Sequence, residues 1–344
     1  MDVCYRLSMP RKARIDAPGA LHHIICRGIE RRKIFDDDID RDNFLDRLGN
    51  ILIETSTPCY GWALIPNHFH ILLRTGKVAI STVMRRLLTG YAVSYNRRHR
   101  RSGHLFQNRF KSILCQEDLY LKELVGYIHL NPLRARIVVD FKDLAQYPYC
   151  GHSVLVGKLQ LQNEFQDVEY VLKQFGNKLS QARHNYREFV RKRIELGNRP
   201  ELVGGGLLRS SGGRGVLKAM SKARIHLKGD ERILGESDFV KEVLSEQKEK
   251  LNRRYWLKAQ GYDIEKVVNR VADVFKIEVD EIWKPGNQPL RVKARSLTCF
   301  WAVRELGMSG TIVGKLLGLG QPAVSRAVTR GAKISQDMNI MLVD

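Results

Sequence analysis

The segment YGWALIPNHFHILLR, residues 60–74, decides the fold of the first half of the chain. Its two apolar runs are separated by Pro66 and Asn67, so we predict a strand, a brief break and a second strand. Side chains along a strand alternate between its two faces. His68 and His70 therefore share one face of the second strand. The other face carries the apolar side chains that can pack on helices: Phe69, Ile71 and Leu73.

Strands and helices alternate around this segment. Residues 22–26 (HHIIC) predict another strand, and apolar side chains recur with a helical period in residues 40–53, 80–97 and 117–130. Strands interleaved with long helices predict an α+β fold.

The composition points to a basic, folded protein. The chain has 344 residues, with 58 Lys and Arg against 37 Asp and Glu, and a formal net charge of +21. A hydrophobic content of 43% fits folded protein, and the length suggests two domains. A positive excess of this size favours a polyanionic partner, usually nucleic acid, by counterion release. A basic surface with another role stays open.

The cysteines and the hydropathy profile bear on location. The six cysteines are scattered, with no pair at C-x-x-C spacing, so we predict reduced thiols: Cys4, Cys26, Cys59, Cys115, Cys150 and Cys299. No apolar run approaches the length of a membrane span. We therefore expect a cytoplasmic protein with no membrane role.

The chain divides into three zones. Residues 10–155 carry the dense strand and helix patterns and form a first predicted domain. Residues 156–225 are predicted to be a helical connector with a glycine-rich linker, since residues 201–215 read ELVGGGLLRSSGGRG. Residues 226–344 show mostly helical patterns and form a second predicted domain.

His68 and His70, two residues apart on one face of a predicted strand, can ligate one divalent metal, with a third ligand from another part of the chain. The alternative for His68 and His70 is an ordinary surface or hydrogen-bonded pair.

The predicted helix at 117–130 ends at Asn131, because Pro132 disfavours helix before it. Tyr127 and Asn131 are four residues apart and lie on neighbouring positions of one helix face. A phenol is a poor nucleophile at neutral pH unless a metal assists. The spacing alone therefore favours Tyr127 as a half-buried aromatic beside Leu124 and Ile128.

A long segment between these elements has no acidic residue. Residues 75–116 contain nine Lys and Arg, interleaved with Tyr91, Tyr95, His104, Phe106 and Phe110. Basic side chains follow phosphates, and aromatic rings stack on unpaired bases. We predict a nucleic-acid contact surface from the following residues: Arg97, Arg98, Arg100, Arg101, His104, Phe106, Arg109 and Lys111. A solvated basic face is the alternative.

Four motifs together carry a family resemblance. They are LHHIICRGIERRKIF (21–35), WALIPNHFHILLRTG (62–76), GHLFQNRFKSILC (103–115) and YIHLNPLRARIV (127–138). Their order and spacing resemble the single-tyrosine HUH transposases, in particular the branch associated with REP elements. The resemblance covers about residues 10–152 and begins near Met9, so we expect residues 1–8 to be dispensable.

The resemblance implies a ferredoxin-like α+β domain that nicks single-stranded DNA near a hairpin. It implies Tyr127 as the nucleophile, leaving a 5′-phosphotyrosine and a free 3′-hydroxyl. It also implies Mg²⁺ or Mn²⁺ held by His68 and His70. A glutamine completes the metal site in related transposases. Asn131 stands at that position here, with the same amide on a shorter arm.

Residues 291–331 predict a helix-turn-helix. A first helix has a buried stripe that includes Leu297 and Trp301, a second spans residues 311–317, and residues 318–320 form the turn. Pro322 suits the first turn of a third helix, which can enter a major groove of duplex DNA. Its outward residues include predicted DNA contacts: Gln321, Ser325 and Arg326. A plain helical bundle is the alternative.

Residues 267–330 resemble the C-terminal DNA-binding domain of the replication initiator DnaA. Arg295 stands at that family's arginine position before the long helix. The recognition helix departs from the family at residues 321–325, so the resemblance implies the fold but not the DNA sequence recognised.

Three functions fit the sequence. The first is a metal-dependent single-strand nuclease and strand transferase, and the second is a non-catalytic DNA-binding regulator with the same fold. The third is an RNA-binding protein, which has no use for the histidine pair and Tyr127. For the first we expect a monomer or homodimer, associated with a bacterial nucleoid.

Overall fold

The computed structural model describes residues 15–343, apart from 162, 198, 204–229, 231, 237–238, 241–242 and 245–247. Two predictions therefore lie outside the described residues. They are the dispensable residues 1–8 and most of the glycine-rich linker.

One five-stranded sheet organises the first half of the chain, in the order β2-β3-β1-β4-β5. Its strands are β1 (Leu21–Arg27), β2 (Cys59–Ile65), β3 (His68–Arg74), β4 (Lys111–Cys115) and β5 (Ile233–Leu234). The first four strands are joined as βαββαβ, and all neighbours among them are antiparallel. This is the ferredoxin-like arrangement, so the predicted α+β fold is confirmed.

Eight helices accompany the sheet in the described chain before β5. They are α1 (Asp38–Glu54), α2 (Ile80–Arg98), α3 (Glu117–His129), α4 (Asn131–Arg134), α5 (Phe141–Leu144), α6 (Gly151–Leu155), α7 (Val168–Lys173) and α8 (Leu179–Arg191). Helix α1 begins where the Asp37 side chain accepts a hydrogen bond from the Asp40 N–H.

The two faces of the sheet have separate cores. Phe69 and Ile71 of β3 are fully buried against α1 and α2, as the alternation of the strand predicts. Helix α3 packs on the opposite face, where Leu124 and Ile128 are buried with Leu72 of β3. His68 and His70 share this second face, so the sheet turns them toward α3.

The connector is folded against the second core. Val171 of α7, Tyr186 of α8 and Leu202 are buried in the same cluster as α3. Leu202 ends a short 3-10 helix, Pro200–Leu202. The helical part of the predicted connector consists of two helices, α7 and α8, separated by residues 174–178.

Strand β5 differs from the sequence prediction, which gave residues 226–344 little strand content. Ile233 pairs with Leu114 and Leu234 with Cys115, so β5 lies parallel to β4 at the sheet edge. Two residues are too few to show a strand period, and their conformation is imposed by the open edge of β4.

The C-terminal part of the described chain is helical. Its helices are α9 (Lys248–Ala259), α10 (Ile264–Phe275), α11 (Val279–Trp283), α12 (Pro289–Phe300), α13 (Gly310–Leu317) and α14 (Gln321–Asp337). A π-helical turn, Trp301–Glu305, extends α12. This agrees with the predicted helical C-terminal region.

Helices α12, α13 and α14 contain the predicted helix-turn-helix segment. Gly318 ends α13 with a φ of 63°, a left-handed conformation that favours glycine. Gly331 lets α14 approach α12 closely, since a Cβ there would lie 2.1 Å from the Ser296 carbonyl oxygen. The expectation for Arg295 is wrong in one respect. Arg295 lies inside α12 and donates to the Leu317 carbonyl, because the helix begins already at Pro289.

The helical region contacts the sheet domain directly. The Ser309 N–H donates a 2.7 Å hydrogen bond to Asp118 at the start of α3, and the Thr311 hydroxyl donates to Glu236 at 3.2 Å. These contacts attach the N-terminal end of α13 to the sheet domain.

Two further predictions concern thiols and membranes. The five cysteines within the described residues are unpaired and buried. In the part of the chain that the structure describes, no helix is both long and apolar enough to cross a membrane.

Candidate active site

The register of the sheet builds one polar patch on the α3 face. Arg27 of β1 pairs with His68 of β3, and Ile25 pairs with both His70 and Lys111 of β4. Directly paired residues point to the same face, so Arg27, His68, His70 and Lys111 stand together.

A cleft of about 430 Å³ opens over this patch. The predicted nucleophile and metal ligands all line it: His68, His70, Tyr127 and Asn131. Basic and amide side chains line it as well: Arg27, Gln107, Arg109 and Lys111. The histidine pair of β3 and the Tyr127–Asn131 pair, which lie far apart in the sequence, therefore meet at one site.

Each cleft histidine has its Nδ1 engaged in a hydrogen bond. His68 Nδ1 lies 2.7 Å from Asn67 Oδ1, and the Asn67 amide nitrogen donates to the Arg31 carbonyl. His70 Nδ1 lies 2.9 Å from Nε2 of His23. Engaging Nδ1 leaves Nε2 of each ring for a ligand in the cleft, as in metal sites with a supporting outer shell.

Both imidazoles are held neutral. Burial, with a smaller effect of the Arg27 charge, lowers the pKa of His68 to about 4. Burial also lowers the pKa of His70 well below its ordinary value, with added effects of His23, His68 and Arg27. A neutral imidazole has the lone pair that a metal requires.

Tyr127 is mostly buried between the histidines and Arg134. Its ring lies edge-on to His70, with centroids 5.9 Å apart, and the Arg134 guanidinium lies over it. Burial raises the pKa of the Tyr127 hydroxyl, and Glu201 adds to this, whereas Arg134 and Arg27 oppose it. The two arginines thus favour the phenolate, which is the nucleophilic form.

Asn131 is oriented by the end of α3. Its Nδ2 donates to the carbonyls of Tyr127 and Ile128, at 3.2 and 3.1 Å. Carbonyls only accept hydrogen bonds, so this contact fixes which amide atom is the nitrogen. Oδ1 is left as the amide atom available to a metal.

The other tyrosines of α2 and α3, Tyr91, Tyr95 and Tyr120, lie outside the cleft lining. Tyr91 donates to the Ile34 carbonyl and Tyr95 donates to Asp36, and both rings are buried in the core with α1 and α2. Tyr120 is half-buried at the second core. Of these tyrosines only Tyr127 is among the described residues that line the cleft.

The basic segment is divided by the fold. Arg109 and Lys111 line the cleft, and Arg97, Arg100 and His104 are exposed away from its lining. Arg98 forms ion pairs with Asp37 and Asp40. The missing counter-charges of residues 75–116 are thus supplied in part by the start of α1.

Most aromatic residues of this segment are not stacking platforms. Tyr91, Tyr95 and Phe110 are buried, so the interpretation of their rings as base contacts is wrong. Phe106 is half-buried and packs on Tyr91. Arg101 lies over Tyr95, 5.7 Å from the ring centroid.

Sequence reasoning missed four residues at the site: Arg27, Gln107, His23 and Arg134. His23 and Arg27 are four residues apart on β1, and the strand period of two could have placed them on one face. Arg134 lies seven residues after Tyr127, two helical turns, which could have indicated proximity. The pairing of β1 with β3 brings Arg27 and His23 next to His68 and His70. No local pattern in the sequence predicts this pairing.

A separate group of potential ligands lies on the α1–α2 side. Asp36, Asp40 and His99 have ligand atoms close enough to hold a cation. However, Asp40 already binds Arg98 and His99, and Asp36 accepts from Tyr95. Protein cations and hydroxyls therefore satisfy these carboxylates.

The predicted duplex contacts lie on an exposed face of α14. Gln321, Ser325 and Arg326 are all exposed. Gln321 and Ser325 also line a groove of about 600 Å³ whose other wall includes Gln116 and Glu236 of the sheet domain. Part of this helix face is thus turned toward the sheet domain.

The family model described as IS200-like transposase matches residues 18–131. These residues are similar to IS200-like transposases. The match begins just before β1 and ends at Asn131, so it contains the whole βαββαβ unit and all four predicted site residues. The match spans about a third of the chain.

Two solved structures are similar over part of the chain. One is a REP-associated tyrosine transposase bound to a REP hairpin, 15% identical, covering 46% of this chain and 93% of that chain with a TM-score of 0.37. Another is a putative transposase from Deinococcus radiodurans R1, 16% identical, covering 34% of this chain and 92% of that chain with a TM-score of 0.25. No curated protein matches the chain.

Proposed function

We propose that this protein is a metal-dependent single-strand DNA endonuclease and strand transferase that acts near DNA hairpins. The observation that carries the proposal is the meeting of Tyr127, His68, His70 and Asn131 in one cleft with a basic rim. The IS200-like match of the same domain supports it.

Tyr127 is the proposed nucleophile. Its phenolic oxygen attacks the phosphorus, a Tyr–O–P bond forms, and the bond from phosphorus to the 3′ oxygen breaks. The proton lost by the phenol balances the proton gained by the departing 3′-hydroxyl. The products are a 5′-phosphotyrosine and a free 3′ end. Attack by a 3′-hydroxyl reverses these bonds and rejoins DNA without a nucleotide cofactor.

The donor set fits a divalent metal. Two neutral imidazoles with Nδ1 engaged and one amide oxygen can supply three ligands: His68, His70 and Asn131. Two nitrogen donors favour Mn²⁺ over Mg²⁺. A cation bound there would polarise the scissile phosphate and stabilise its charge.

The basic rim is proposed to hold the DNA backbone. Arg27, Arg109 and Lys111 line the cleft beside Tyr127 and carry the charge that a phosphodiester needs. The other predicted contacts, Arg97, Arg100, Arg101 and His104, can extend this path outside the cleft. The helix face with Gln321, Ser325 and Arg326 is proposed to bind duplex DNA.

A covalent adduct tests the nuclease proposal. The full-length protein is incubated with labelled single-stranded oligonucleotides that contain hairpins, with Mn²⁺ or Mg²⁺, and denatured. We expect a metal-dependent protein–DNA adduct that Tyr127→Phe abolishes while single-strand binding survives. Tyr120→Phe, on the same helix, is the matched control and should form the adduct normally.

The outcomes separate the two leading functions. Mass spectrometry should find the phosphate on Tyr127, and phosphate on another tyrosine contradicts the assignment. DNA binding without any adduct, under conditions that include genomic hairpin sequences, favours the non-catalytic regulator. Loss of cutting in His68→Ala or His70→Ala supports the metal site.

A further inference from the structure

His23 is buried directly behind the cleft histidines. It lies on β1 with no exposed surface, on the same face of the sheet as His70. Its Nε2 is 2.9 Å from His70 Nδ1, and its Nδ1 is 3.4 Å from the Leu202 carbonyl oxygen. The two rings are stacked with centroids 5.2 Å apart. His23 thus joins a backbone carbonyl to a proposed metal ligand.

The carbonyl at one end fixes the protons along this chain. A carbonyl oxygen only accepts, so His23 Nδ1 carries the hydrogen. Full burial disfavours a charged imidazole, and a neutral His23 then has a bare Nε2 that accepts. His70 must therefore donate from Nδ1. A neutral His70 that carries its hydrogen on Nδ1 has its lone pair on Nε2.

The tautomer of His68 is fixed in the same way. Asn67 donates through Nδ2 to the Arg31 carbonyl, which leaves Oδ1 to accept from His68 Nδ1. Both cleft histidines are therefore forced into the same tautomer by different partners, each ending on a backbone carbonyl.

We propose that His23 is a positioning residue that, through the Leu202 carbonyl, holds His70 in the tautomer required for metal binding. This inference rests on the proposed metal site and assigns the outer support of that site to this chain. His23 does not touch the metal or the DNA.

The proposal makes the connector a part of the site. Leu202 is buried at the end of its 3-10 helix, and the next residue, Val203, accepts a 2.7 Å hydrogen bond from Lys111 at the cleft. The segment that supports His70 thus belongs to the region predicted as a connector, beyond the end of the family match at residue 131.

Metal affinity measured without DNA tests the role of His23. Full-length wild type, His23→Gln and His23→Leu are titrated with Mn²⁺ and the free ion is followed by electron paramagnetic resonance. We expect His23→Leu to weaken Mn²⁺ binding about 10–100-fold, the usual effect of removing an outer-shell partner. His23→Gln, whose amide can both accept and donate, should restore most of it. The proposal is overturned if His23→Leu binds Mn²⁺ with wild-type affinity. It is also overturned if a folded His23→Gln loses as much Mn²⁺ affinity as His23→Leu.

The tautomer itself can be observed in the unmodified protein. In protein with ¹⁵N-labelled histidine and no metal, the His70 ring nitrogens, assigned by their loss in His70→Asn, should show hydrogen on Nδ1. Hydrogen on Nε2 overturns the proposal even if no variant folds. His22→Gln is the control, since His22 is the neighbouring buried histidine on the opposite face of β1 and should leave Mn²⁺ affinity unchanged.

Failure of this inference is distinguishable from failure of the proposed function. If His70→Ala binds Mn²⁺ like the wild type, the metal site itself is wrong. If His70→Ala loses Mn²⁺ while His23→Leu retains it, the metal site stands and only the role of His23 is refuted.

Discussion

Arg134 lies over the ring of Tyr127, with its guanidinium carbon 5.0 Å from the ring centroid, and its Nη1 donates a 3.3 Å hydrogen bond to the Tyr127 carbonyl. Arg134 follows the helix that carries the tyrosine, so one turn of α4 both anchors the end of α3 and places a cation beside the proposed nucleophile. The charge of Arg134 opposes the effect of burial on the Tyr127 pKa.

Removing this cation should slow cleavage. A cation over an aromatic ring contributes about 0.5–2 kcal/mol, so Arg134→Gln should lower the rate of adduct formation about 2- to 30-fold. The Tyr127 pKa should also rise. The increase in cleavage rate that accompanies loss of the Tyr127 proton should therefore move to higher pH. Single-turnover rates against pH give both quantities. Lys142→Gln removes an exposed positive charge of the next helix, α5, and should change neither the rate nor its pH dependence. An unchanged pH dependence in Arg134→Gln argues against the role of Arg134.

Asn131 should matter less to metal binding than either histidine. Water can replace a neutral amide oxygen, so Asn131→Ala should weaken Mn²⁺ binding less than His70→Ala does. The same substitution removes the two hydrogen bonds to the end of α3, which should cost about 1–3 kcal/mol of stability. Mn²⁺ titration and urea unfolding measure the two effects separately. If Asn131→Ala loses as much affinity as His70→Ala, the amide is a stronger ligand than proposed here.

Arg326 should contribute to duplex binding. It is exposed on α14, and Arg326→Ala should weaken specific duplex binding by ~1–3 kcal/mol if it contacts a base edge. Fluorescence anisotropy on the full chain, with genomic duplex fragments at low salt, measures this. The full chain is preferable to residues 226–344. Within that range β5 pairs with β4 of the sheet domain, and Ser309 donates a hydrogen bond to Asp118 of the sheet domain.

The matched control is Lys333→Ala, an exposed cation two turns later on the same helix. It should reduce binding to all duplexes by a similar small amount. If wild-type protein binds no duplex at low salt, the helix-turn-helix is a protein-contact module instead.

Stability should fall between neutral and acidic pH. Burial lowers the pKa of His22 to about 4 and of His152 to about 3, against 6.5 for an exposed histidine. Between those values the unfolded chain binds more protons than the folded one. The stabilisation by a neutral buried histidine is therefore complete above pH 6.5 and is lost as the pH falls toward the folded pKa.

Urea unfolding midpoints from pH 7.5 to pH 4.5 test this. Each such histidine should add up to about 1.4 kcal/mol per pH unit to the decrease in the free energy of unfolding. His152→Gln should therefore make the free energy of unfolding less dependent on pH. His104→Gln removes an exposed histidine and should leave the slope unchanged. A midpoint that does not vary with pH contradicts the prediction.

Local patterns were enough to predict much of the site. The alternation of residues 68–71 predicted that the two histidines face away from Phe69 and Ile71, because a strand has a period of two. This alternation depends on neighbours in the chain, so the sequence alone determines it. The helix that carries Tyr127 was predicted to end at Asn131 because of Pro132. The structure ends it at His129, but Asn131 and Pro132 begin α4, so the reason given for the end was wrong.

The partners of these residues were decided by the tertiary structure. Strand register sets Arg27 beside His68 and puts His23 behind His70, and packing of the connector brings the Leu202 carbonyl to His23. The same long-range packing pairs Arg98 with Asp37 and buries Tyr91 and Tyr95, which removes them from the predicted DNA surface. Pairing between segments far apart in the chain depends on the burial and hydrogen bonding of the whole sheet, so no local pattern of residues encodes it.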